Sequence, residues 1–123
     1  MVGTISIWLD TSLSRPPVEE VIASATERSA GFLVLESVPV VNAIEVVPLG
    51  ERTPGITTVA FLEKPEGMTY EAWREQWQGH HTKVAIETQS TFLYIQNVVV
   101  RPLTDGAPPW TAIVEEGDRK SVV

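Results

Sequence analysis

Three side chains in the second half of the chain have types and spacing that could do chemistry. Trp73, Trp77 and His81 recur every four residues, so on an α-helix they share one face, with Val84 close to the same stripe. Two readings stand side by side. In one, two indoles pack on a sheet and the histidine sits at the wetter end. In the other, the histidine stands at the mouth of an apolar pocket. There an imidazole, whose ordinary pKa is near ~6.5, moves protons at neutral pH. A second set lies on a long apolar run, where Tyr94 and Gln96 are two residues apart and share a strand face with Phe92, Val98 and Val100. A hydroxyl and an amide so placed either line a cavity or lie at a wet sheet edge.

Other constellations carry less. His80 and His81 are neighbours, about 100° apart on a helix of 3.6 residues per turn, and no nearby carboxylate completes a zinc-binding helix motif. No metal or cofactor is therefore expected. Gly79 costs ~1 kcal/mol inside a helix and either permits close approach of a neighbouring strand or is merely tolerated. Glu115 and Glu116 point to opposite faces of a strand and make a poor acid/base pair. Phosphate-cradling loops, serine nucleophile elbows and dinucleotide fingerprints are absent from the sequence.

These residues need elements to position them. Thr4 to Leu9 alternates as a strand. Ser14 offers an N-cap, Pro16 and Pro17 suit a first helical turn, and Val18, Val21, Ile22 and Ala25 follow at helical spacing, with Gly31 as the stop. Phe32 to Val38 is a second strand. Pro39 to Gly55 is an apolar connector that should lie against the body. Ile56 to Leu62 is a third strand, Pro65-Glu66-Gly67 a turn, and Thr69 caps a helix running to about Glu87. Thr91 to Leu103 and Trp110 to Glu116 complete the pattern as strands. Two strand–helix–strand units predict a ferredoxin-like α+β fold, with helices on one face of a mostly antiparallel sheet and the other face covered by a second sheet.

Composition narrows the function. The chain has 123 residues, is 43% hydrophobic and carries a formal net charge of −7. That is globular composition, and the negative charge argues against nucleic acid or an anionic membrane as partner. With no cysteine, disulfide frameworks, thiolate metal sites and cysteine nucleophiles are excluded, which fits a cytoplasmic protein. No apolar run approaches the ~20 residues of a membrane span.

The run from Met68 to Thr82, MTYEAWREQWQGHHT, resembles the helix of the EthD family. So does Phe92 to Val99, FLYIQNVV, the strand that follows there, and the match continues from Arg101 to Thr104 and from Ala112 to Glu116. The resemblance covers residues 51–117 as the start of one repeat, and residues 1–50 look like the end of a preceding, diverged one. It implies a dimeric α+β barrel, built as a homodimer or as tandem repeats in one chain, around a small-molecule pocket. Family members are associated with oxidative breakdown of small organic molecules, and fungal relatives with polyketide tailoring such as decarboxylation. His81 matches the family histidine and is the candidate acid/base. Trp73, Trp77, Tyr94 and Gln96 are candidate walls for a largely apolar substrate. Lys83 stands where the family commonly has proline. The family would continue with a further helix and strand. Here residues 118–123 instead read as translated sequencing adapter, expected to contribute nothing to fold or site. The competing reading is a non-catalytic accessory or binding module in which the same residues only pack.

Overall fold

The computed structural model describes residues 3–40, 47–81, 83 and 91–118, the side chain of residue 81 excepted. Its frame is an α+β arrangement with a four-stranded antiparallel sheet in the order β1-β3-β4-β2. The strands are β1 (Phe32–Val40), β2 (Ile56–Leu62), β3 (Thr91–Pro102) and β4 (Ala112–Asp118), and the helices are α1 (Pro16–Ala25) and α2 (Tyr70–Arg74). β2 and β3 are both antiparallel to β4, so they run parallel to each other on either side of it. A crossover must join them, and α2 lies within it. This split β–α–β unit is compatible with a ferredoxin-like fold.

Local chemistry explains the elements. Gly67 takes φ 81° in the turn that follows β2, closed by Met68 N–H donating to the Pro65 carbonyl at 3.4 Å. The Thr69 hydroxyl accepts from Ala72 N–H at 3.2 Å and starts α2. Lys64 Nζ fastens the same turn by donating to the Pro65 and Met68 carbonyls at 3.1 and 2.6 Å. β1 is an edge strand and tolerates Pro39, beside which its register with β3 shifts.

Four expectations are corrected. Residues 4–9 form no strand. Their backbone lies outside the sheet, with Ile5 and Trp8 more than two-thirds exposed, because alternation without a ladder partner does not hold a strand. α1 begins after Thr11 and a short 3₁₀ turn, Ser12–Ser14, with Pro16 and Pro17 in its first turn. It stops at Ala25 rather than near Gly31: Thr26 is extended, and its hydroxyl donates back to the Ile22 carbonyl at 2.8 Å. The long helix is α-helical only to Arg74. It continues as a π-helical segment, Glu75–His81, so the α-helical angle between His80 and His81 does not apply there. Of the two readings of Gly79, tolerance is the one that holds, since a Cβ there would meet nothing within 4 Å. The expected helix residues beyond this segment, Val84 included, and connector residues 41–46 lie outside the described residues. Asp118, expected to open an idle tail, is instead the last residue of β4 and pairs with Ile56 and Thr91.

Candidate functional site

The sheet has two unlike faces. Cross-strand partners put Ala60, Val114 and Gln96 in one row, and Leu62, Ala112 and Val98 in the next, all on the face toward α2. Trp73 and Trp77 close over this face. They are 8% and 6% exposed, and their rings stack with centroids 5.0 Å apart. Tyr94 joins the same cluster from β3, and Gln96, 2% exposed, lies between Tyr94 and Val98 on that face. At ~25 cal/mol per Å2 and 150–250 Å2 per ring, each tryptophan contributes roughly 4–6 kcal/mol as an upper bound. The pair therefore decides where α2 sits.

All four expected wall residues thus come together. The choice left open for Tyr94 and Gln96 is resolved against a wet sheet edge, because β3 is an inner strand and both residues are buried. None of Trp77, Tyr94 and Gln96 is without an interaction partner. His81 ends the π-helical segment that continues α2, and its side chain lies outside the described residues. His80 is exposed. It lies with Ala72, Glu75, Gln76 and Gly79 along a shallow groove on the outer surface of the helix. π-helical turns inside α-helices occur frequently at functional sites, and this one begins one residue after α2 ends.

Sequence reasoning missed three features. Tyr70 extends the indole stack, its ring centroid 6.1 Å from that of Trp73. The signal was available, since Tyr70 precedes Trp73 by three residues and i,i+3 pairs meet on a helix. The second feature is an aromatic row on the other face. Trp110 stacks on Phe61 at 4.1 Å and on Phe32 at 5.2 Å. Only the structure brings these three segments together. The third is a β-bulge. Thr91 pairs with Asp118 but Leu93 pairs with Gly117, which leaves Phe92 as the extra residue. Its ring lies over Gly117, where a Cβ would approach it to 2.6 Å. Phe92 therefore leaves the Tyr94–Gln96 face on which strict alternation put it.

The carboxylates separate as their positions require. Glu116, on the α2 face, accepts from the Thr91 hydroxyl at 2.7 Å, whereas Glu115 faces the other way and meets the Ser6 hydroxyl at 3.5 Å. No three His, Cys, Asp or Glu residues among those described are grouped to hold a metal ion. Among the described residues no helix is long and apolar enough to cross a membrane.

No family model matches the chain, and no curated protein or solved structure does either. The resemblance to EthD proteins therefore rests on the sequence motifs alone.

Proposed function

We propose that the chain is an EthD-like module that binds, and acts on, a small and largely apolar organic molecule. The class of reaction is oxidative degradation or polyketide-type tailoring, with His81 as acid/base and Trp73, Trp77, Tyr94 and Gln96 as walls. One observation carries the reading. The four wall residues converge on one face of the sheet under one helix, and that helix runs on as a π-helical segment from Glu75 to the histidine. Stacked indoles form a rigid apolar wall, while a phenol and an amide supply the polar groups that orient a ligand. The face of the sheet away from α2 carries Val59, Phe61, Ile95 and Ile113. In the proposed α+β barrel it meets a second sheet, from another copy or from a preceding repeat. A cytoplasmic site of action belongs to the same proposal.

A second reading has its own support. The wall residues are no more than 8% exposed, as core residues are, and a non-catalytic accessory module needs nothing more of them. One experiment separates the two. The chain is screened by thermal shift against small aromatic, phenolic and ether compounds, and turnover of each hit is followed. A catalytic His81 gives a 10²–10⁴-fold loss of rate in His81→Gln, with an unchanged melting temperature, while His80→Ala keeps most activity. Full activity in His81→Gln, with only a lower melting temperature in His81→Ala, establishes the packing role instead.

A further inference from the structure

The two edges of the sheet are built differently. β1 carries Glu36 and Pro39, and its register with β3 shifts twice. Charge, proline and bulges are the devices that keep an edge from pairing with another chain. β2 has none of them. Its sequence, ITTVAFL, contains no charged residue and no proline, and it pairs with β4 across all seven residues without a shift. Among the described residues no strand pairs with its outer edge. Ile56 and Phe61, on opposite faces of this strand, are 53% and 39% exposed.

The strand is also self-complementary. Laid antiparallel on a copy of itself about Val59, it sets Ile56 against Leu62, Thr57 against Phe61 and Thr58 against Ala60, with Val59 facing Val59. β-Branched and aromatic residues meet, and no like charges oppose each other. Each chain carries −7, so two copies repel over most of their surfaces, and an uncharged edge is where they can approach. β1 of a second copy is a poor partner, because Pro39 lacks an N–H and Glu36 brings charge.

We propose that the outer edge of β2 pairs antiparallel with β2 of a second copy, about a two-fold axis at Val59, to make one continuous sheet. This interface is edge to edge and does not depend on the functional reading above. It is small, at the low end of specific interfaces (below ~1,200 Å2), so the dimer dissociates on dilution.

The absence of native cysteine makes the register directly testable. Under mild oxidation Val59→Cys cross-links to itself, because directly opposed residues have Cβ atoms about 4.5–5.5 Å apart. Thr57→Cys and Phe61→Cys each stay monomeric alone and cross-link when mixed. Val59→Lys, which sets two like charges face to face, weakens the dimer by about tenfold. On the unsubstituted chain, amide exchange in β2 slows as concentration rises, a readout that needs no variant to fold. A chain that stays monomeric across the dilution series overturns the proposal. So does a dimer that persists while Val59→Cys fails to cross-link, which is the result a face-to-face barrel dimer would give.

Discussion

α1 and α2 differ both in how they start and in what they bury. Thr69 caps α2 through its hydroxyl, whereas α1 starts behind Arg15 with no side-chain cap, after a 3₁₀ turn that Thr11 caps; both helices have apolar residues at helical spacing. α1 nevertheless buries none of its residues, and Val21 on its apolar side is 67% exposed. α2 is shorter, yet it holds Trp73 under 10% exposure, and its π-helical continuation holds Trp77 likewise. Amphipathic spacing is enough to make a helix. What fixes a helix to a sheet is the area of the side chains on its inner face, and two indoles exceed Val18, Val21 and Ile22 in area and in stacking.

The largest effect expected from this contrast comes from removing an indole. Trp77→Ala deletes a ring that is 6% exposed and stacks on Trp73. A loss of about 3–5 kcal/mol is expected for a buried aromatic truncated to alanine, read from urea denaturation midpoints. Val21→Ala on α1 should move the midpoint by no more than ~0.5 kcal/mol, the range of ordinary surface substitutions. Equal effects in the two helices would mean that α1 packs as firmly as α2.

Much of this contrast was legible in the sequence. Ile56 to Leu62 reads as a strand and is β2, Thr69 reads as a cap and starts α2, and Trp73, Trp77, Tyr94 and Gln96 share one buried face. What was not legible depended on partners distant in sequence. Thr4 to Leu9 alternates as well as β2 does, but a strand also needs a neighbour, and alternation cannot say whether one is present. The π-helical segment is hidden because tryptophans four residues apart fit α-helical spacing well enough to be read as one. The bulge at Phe92 is hidden because it is set by the absence of a side chain on another strand, at Gly117.

That bulge gives the next smaller effect. Gly117→Ala puts a Cβ 2.6 Å from the Phe92 ring, too close to stand without movement of the ring or the strand. Overpacking of this kind typically costs about 1–3 kcal/mol. Combining it with Phe92→Leu, which shortens the obstructing side chain, should restore part of the loss. A double-mutant cycle measures this as a favourable coupling. Strictly additive losses would show that the ring moves aside freely.

The smallest effect is also the sharpest test of the two helices, because the same hydroxyl is removed from the cap of α2 and from the 3₁₀ turn that leads into α1. Thr69→Ala deletes the acceptor for Ala72 N–H, 3.2 Å away, and Thr11→Ala deletes the acceptor for Leu13 N–H, 3.3 Å away. Lost N-caps cost about 1 kcal/mol where the helix belongs to the cooperative unit. Thr69 should show that cost in global stability, since α2 cannot fray without exposing Trp73. Thr11 should show almost none, because the 3₁₀ turn it caps and the helix behind it bury nothing and open locally before the molecule unfolds. Amide exchange separates the cases. In the unsubstituted chain α1 amides should exchange at far lower protection than those of α2 and β3, and Thr11→Ala should lower only the α1 values. If Thr11→Ala instead lowers protection across β3 and β4, α1 is coupled to the sheet and the division between the two helices does not hold.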